Sequence, residues 1–198
     1  MLCHCARRPC AIVFVALLIV GTLSGCSGGT PLQRAGVERL DVPEGWTATS
    51  VETWPVPGSP LAAWKGPDGW SFVVYRELSA VGNDAPSIVQ RTRNRFENFP
   101  GLTVVSAGEV EFSKPAARVE ATAPGTGASW FPTGTGVPLG ASGATSVPTR
   151  RVLISVPLNR ETVSFLWHAP EADAEALLKQ IEQFRPTLRA SRRDNQSY

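Results

Sequence analysis

The sequence predicts an α+β domain in which an antiparallel sheet of about six to seven strands is sandwiched by helices. Three observations predict it. Val152, Ile154, Val156 and Leu158 alternate with other residues along one stretch, Val163, Phe165 and Trp167 along the next, and Asn159-Arg160-Glu161 forms a turn between them, the pattern of a hairpin. The last long element carries an amphipathic helical stripe, and a second such stripe falls between two groups of strands. Helices between and after runs of antiparallel strands give the α+β class.

The folded domain is expected to begin at Asp41-Val42-Pro43-Glu44-Gly45-Trp46. Imperfect alternation over 46 to 51 and a second run over 61 to 65 predict short extended segments, and Gly66-Pro67-Asp68-Gly69 reads as a tight turn. Trp70, Phe72 and Val74 then share one face of a strand, with Ser71, Val73, Tyr75 and Glu77 on the other. Such a strand, apolar on one side and half-apolar on the other, fits a sheet covered at least in part on both faces.

Asp84 or Asn83 is placed to cap a helix that has Pro86 in its first turn and Val89, Thr92, Phe96 and Phe99 at helical spacing, with Pro100-Gly101 ending it. Strands follow over 102 to 112, interrupted near Ala107-Gly108, and over 116 to 123; the hairpin comes next. The final helix has Pro170 at its start, Glu171, Asp173 and Glu175 near the positive end of its dipole and Arg185 at the other end. Its stripe is Ala174, Leu177, Leu178, Ile181 and Phe184, and Pro186 stops it.

The N-terminus has a different character. Arg7 and Arg8 precede an apolar run, and residues 11 to 23 number only 13, too few for a helix that needs roughly 20 to cross a bilayer. All four cysteines, Cys3, Cys5, Cys10 and Cys26, lie in the first 26 residues. Leu23-Ser24-Gly25-Cys26 resembles the bacterial lipoprotein signal motif, in which a branched aliphatic and two small residues precede a cysteine that is lipidated and becomes the new N-terminus. That resemblance implies a leader over 1 to 25 and lipid on Cys26, held by about 0.8 kcal/mol per buried methylene. An ordinary secretory cut would instead leave Cys26 as a free thiol, with no second cysteine to pair with it. Cys3-His4-Cys5 is too tightly spaced for tetrahedral zinc, and cleavage would discard it, so neither a metal nor a cofactor is expected.

Loss of residues 1 to 25 takes Arg7 and Arg8 with it, and the formal charge falls from +2 to zero. A nucleic-acid partner, which selects a basic surface, is therefore not expected. Residues 26 to 40 read as a flexible tether and 41 to 186 as one domain. Residues 187 to 198 read as a disordered tail, whose Arg189, Arg192 and Arg193 leave open a contact with acidic lipid or wall polymer.

Several short stretches carry a family resemblance: Pro43-Glu44-Gly45-Trp46, the strand beginning Trp70-Ser71-Phe72-Val73-Val74-Tyr75 with its following helix around Ser87, Lys114-Pro115-Ala116-Ala117-Arg118-Val119-Glu120, and Ala169-Pro170 leading to Ile181-Glu182-Gln183-Phe184-Arg185-Pro186. Together they resemble the PsbP-like proteins, a group that includes many small bacterial lipoproteins. The resemblance implies an α/β/α sandwich and a binding or accessory role, and it offers no shared catalytic residue. Residues 124 to 149 look like an insertion relative to that pattern.

Candidate chemistry is sparse. His168 is the one histidine left after cleavage, with Glu161 in the neighbouring turn and Ser164 on its own strand face. A hydrolase would have to use it with a nearby acid or serine, but no Gly-x-Ser-x-Gly elbow accompanies it, and a strand-end histidine is the commoner finding. Glu109 and Glu111 on one strand, with Glu120 on the next, offer paired carboxylates, although such pairs usually face solvent. Arg91 and Arg95 share a helical face and read as a solvated one. The segment 124 to 149 has 26 residues without a charge, 18 of them Gly, Pro, Ser or Thr, and holds Trp130-Phe131. It is either a functional loop that clasps a partner or dips into a membrane, or a disordered insertion. The expected protein is thus a non-enzymatic lipoprotein of the cell membrane, facing the periplasm or exterior. Trp130, Phe131 and His168 are its candidate binding residues, and its partners are the membrane, through Cys26, and an envelope protein or wall polymer. An envelope hydrolase using His168, or a purely structural envelope component, are the alternatives.

Overall fold

The computed structural model describes residues 29–51, 56–78, 83–99, 101–124, 147–158 and 161–189. In chain order these form α1 (Pro31–Arg34), β1 (Val37–Arg39), β2 (Thr47–Thr49), β3 (Ser59–Lys65), β4 (Ser71–Leu78), α2 (Ala85–Glu97), β5 (Thr103–Glu111), β6 (Pro115–Ala123), β7 (Thr149–Leu158), β8 (Glu161–Pro170), α3 (Ala174–Gln183) and β9 (Thr187–Leu188). Seven strands make one antiparallel sheet in the order β2-β3-β4-β8-β7-β6-β5, and β1 with β9 makes a separate ribbon. The class is α+β, as expected.

Alternation along the central strands sorts the side chains onto two faces. One face presents Phe72, Val74, Val152, Ile154, Val156, Val163, Phe165 and Trp167, and it is covered by Leu177, Ile181 and Phe184 from α3 and its end, with Val37 of β1 and Phe112. Aromatic packing is dense here. Phe72 stacks on Trp167 at 4.8 Å and on Trp64 at 5.2 Å, while Phe184 meets Phe72 edge-on at 5.3 Å. Each such pair adds about 0.5–1.5 kcal/mol beyond the area it buries. The opposite face presents Tyr75, Leu153, Leu166, Val119 and Ala121 to Phe96, Phe99 and Leu102 of α2 and its exit.

Local signals place the helices. Asp84 caps α2, its Oδ1 accepting from the Ser87 amide at 2.8 Å, and this bond holds the Asp84 carboxyl below its ordinary pKa. Arg95 of α2 donates twice to Glu77 of β4, at 3.2 and 3.1 Å, clamping the helix to the sheet. Asp173 precedes α3 without capping it; its carboxylate accepts instead from the Trp70 indole at 3.0 Å. The turn after β3 has Asp68 and Gly69 at φ +52° and +85°, which the glycine adopts without a steric penalty.

The largest correction concerns the ends of the domain. The tether expected over 26 to 40 is folded from Thr30 onward: Thr30 and Gln33 form a reciprocal capping box on α1, and Val37 is 1% exposed in the core. The tail expected from 187 begins as β9, which pairs Leu188 with Val37 and Thr187 with Arg39. Ser113 Oγ donates to the Pro186 carbonyl at 2.7 Å, fixing the approach to that strand. The strand expected to break near Ala107-Gly108 is continuous, and its irregularity lies between Val104 and Ser106. A domain that starts at Thr30 rather than at 41 predicts that Val37→Ala lowers the unfolding free energy by about 1–2 kcal/mol in urea titration, where a tether residue would give no change. Phe165→Ala, at the centre of the aromatic cluster, should cost about 3–5 kcal/mol in the same measurement.

Candidate functional site

The two ends of the sheet differ in chemistry. At the end where β4 and β7 begin and β8 finishes, the register sets Ser71 beside His168 and His168 beside Arg151 in one cross-strand row. The row lies on the α2 side of the sheet, and its residues are 3%, 5% and 3% exposed. Burial, and then the Arg151 guanidinium, lowers the His168 pKa to about 3, while burial lowers that of Arg151 to about 10. At neutral pH the row therefore holds one buried positive charge beside an uncharged imidazole.

The α3 face of the same end carries an ion-pair chain. Arg118 Nη2 lies 2.6 Å from Glu120 Oε1, Arg150 Nη1 lies 3.5 Å from Glu120 Oε2, and Arg150 Nη2 lies 2.6 Å from Glu171 Oε1. Each carboxylate meets a guanidinium, so the half-buried charges are paired. Beside this chain Trp46 and Trp70 meet edge-on at 6.4 Å, both half-buried, next to the half-buried Trp64. This end thus combines a polar network, a buried basic row and a partly exposed aromatic shelf.

Of the residues singled out in the sequence, His168 falls here, but its expected companions do not. Glu161 stands at the other end of β8, seven residues or about 23 Å away, on the opposite face and 3.3 Å from Arg76. Ser164 is buried against Ser155, their Oγ atoms 2.8 Å apart. The structure therefore does not bring His168, Glu161 and that serine together; it brings His168 to Ser71 and Arg151, which sequence reasoning missed. The missing signal was strand register, which no local pattern in β4 or β7 carries.

Glu109 and Glu111 are exposed on edge strand β5, opposite Ala117 and Pro115, whereas Glu120 stands opposite Ser106 on the other face, so the carboxylates do not pair. Arg95 is committed to Glu77, and Arg93 to Glu97 at 2.7 Å. Cys26, Trp130 and Phe131 lie outside the described residues. The described residues flanking the segment that holds Trp130 and Phe131, Pro124 and Val147, adjoin β6 and β7 at the end that carries His168. Among the described residues no group of three or more metal-ligating side chains converges, and no helix is long and apolar enough to cross a membrane.

The His168 environment has a pH signature. The unfolded chain takes up a proton near pH 6.5, and the folded chain does so only near 3, so the unfolded state binds the proton first as pH falls. This contribution to stability is complete above pH 6.5 and is lost between there and pH 3, at up to about 1.4 kcal/mol per pH unit. Urea titrations from about pH 7 to pH 4 should show that slope in the native protein beyond the slope in His168→Gln; equal slopes would contradict the buried, uncharged imidazole.

No protein-family model matches the chain, and no curated protein matches it. Three solved structures are similar in outline. LpqN of Mycobacterium tuberculosis, described as involved in cell envelope biogenesis, is 11% identical with a TM-score of 0.48, covering 75% of this chain and 82% of its own. The cyanobacterial PsbP of Synechocystis sp. PCC 6803 is 10% identical with a TM-score of 0.45, covering 72% and 79%. A protein of unknown function from Pseudomonas aeruginosa, PA94, is 16% identical with a TM-score of 0.41, covering 73% and 87%. At such identities and TM-scores these likenesses carry no information on what this chain binds.

Proposed function

We propose that the chain is a lipid-anchored protein of the cell envelope whose domain binds a partner rather than catalysing a reaction. The observation that carries this reading is Leu23-Ser24-Gly25-Cys26 at the close of an apolar run too short to span a bilayer. A thioether-linked diacylglyceryl group on Cys26, with a further chain on the new amino terminus, would make attachment durable, because stable anchoring takes more than one acyl chain. The anchor raises the effective concentration of the domain near other envelope components.

The contact surface lies at the ends and edges of the sheet, since both faces of β4, β7 and β8 are buried. The end with the tryptophan shelf and the Arg118–Glu120–Arg150–Glu171 chain is the favoured one, because the loop bearing Trp130 and Phe131 enters and leaves there. Its partner is an envelope protein or wall polymer. Support for a binding role comes from the fate of the candidate catalytic groups: His168 is buried and uncharged, and its candidate acid is ion-paired at the far end of the strand.

The anchor is tested by expressing the native chain and Cys26→Ser in a diderm bacterial host. The native protein should partition with membranes and show the mass of a chain starting at Cys26 plus lipid, and Cys26→Ser should move to the soluble fraction. Equal partitioning, or an unmodified Cys26, would contradict the reading.

A further inference from the structure

The chain between the proposed lipid and the first folded residue is very short. Thr30 already closes the capping box of α1, so residues 27 to 29 alone separate it from Cys26. At full extension that span reaches at most about 14 Å, less than half of the roughly 30 Å hydrocarbon core itself. A domain on such a short lead cannot range freely; one particular end of it must face the leaflet.

Several contacts identify that end. A Cβ on Gly36 would stand 3.2 Å from Leu158, at the last residue of β7. Lys114 in the β5–β6 turn donates through Nζ to the Arg189 carbonyl at 2.9 Å, and Ser113 in that turn bonds Pro186. The α1–β1–β9 ribbon is therefore seated against the β5–β6 turn and the last residue of β7, at one end of the sheet. Pro124, Val147 and the Ser71–His168–Arg151 row lie at the other, about 30 Å away along the ten residues of β7.

We propose that the domain stands end-on upon the phospholipid surface, with the α1–β1–β9 end down and the end bearing Pro124 and Val147 pointing away. The proposal rests on the Cys26 lipid of the preceding reading and supplies its orientation. Next to the point where the chain enters, Gly29, Gln33, Arg34, Glu38 and Arg189 line an open cleft of about 550 Å³. Glu38 and Asp41 at this end are taken up by Arg189 at 3.5 Å and Arg39 at 2.9 Å, and Glu161 by Arg76. Arg34, Lys114 and Arg185 are balanced by Glu111, Glu182 and Asp84, the exposed cap of α2 whose neighbour Asn83 bonds Glu161, so this end is close to neutral. Leu78, 83% exposed at the end of β4, lies at the same end, opposite Glu161. The consequence is that Trp130 and Phe131 belong to a loop rooted on the side away from the bilayer, which favours a partner other than the membrane for them.

The test places one fluorescent thiol label at Leu78→Cys or at Ala172→Cys, an exposed position at the opposite end. The lipidated full-length protein is reconstituted into phosphatidylcholine vesicles doped with a headgroup-attached quencher. The label at 78 should be quenched several-fold more than the label at 172. Equal or reversed quenching of the two labels overturns the orientation. Intact mass read on the same sample separates this failure from that of the anchor: an unlipidated Cys26 overturns the anchor and the orientation together.

Discussion

Burial of β8 on both faces is the constraint on which the rest of the molecule depends. The strand sits between β4 and β7, paired along its whole length, and residues 162 to 169 are all buried. A strand in that position must satisfy two cores at once. It does so by sending Val163, Phe165 and Trp167 into the aromatic cluster, and Thr162, Ser164, Leu166 and His168 toward the α2 side. The polar members of the second set are tolerated only because each meets other polar groups across the sheet, as the Ser155–Ser164 pair shows. His168 and Arg151 are thus first of all consequences of a sheet closed on both sides, and the low pKa of the imidazole follows from that closure.

Closure also decides where function can reside. Large open sheet faces are absent from β4, β7 and β8, so recognition falls to edges, ends and loops, where segments are less constrained by packing. The ends are not equivalent. One gathers the α1–β1–β9 ribbon and the chain entry, and the other gathers the tryptophan shelf, the ion-pair chain and the roots of the uncharged insertion. The proposed anchor gives this polarity a meaning, because a lead of three residues from a lipidated Cys26 would present one end to the membrane and the other to the compartment.

What the sequence revealed followed the range of the interactions involved. The β7–β8 hairpin, the stripe of α3 and the Asp84 cap were legible because each is written within about twenty consecutive residues. The two-sided burial of β4 was legible for the same reason, from Ser71 to Tyr75. The ribbon was not: α1 has four residues, β1 has three, and the partner that buries Val37 lies about 150 positions away in β9. No local period marks such a pair, and a small, polar-rich stretch without periodicity reads as a tether. His168 was found as a lone histidine, but its neighbours were assigned from chain proximity, which favoured Glu161, whereas strand register delivers Ser71 and Arg151. Asp173 is a similar case. Its position before α3 reads as favourable helix electrostatics, and its observed bond is to an indole 103 residues earlier.

Native-state amide hydrogen exchange tests the central claim, a sheet closed on both faces and sealed at one end by β1 and β9. Amides of β4, β7 and β8 should exchange only through global unfolding, with Val37 and Leu188 protected well beyond the level of an unstructured segment. Rapid exchange at Val37 and Leu188, or exchange within β8 by opening that leaves the rest of the sheet intact, would contradict it.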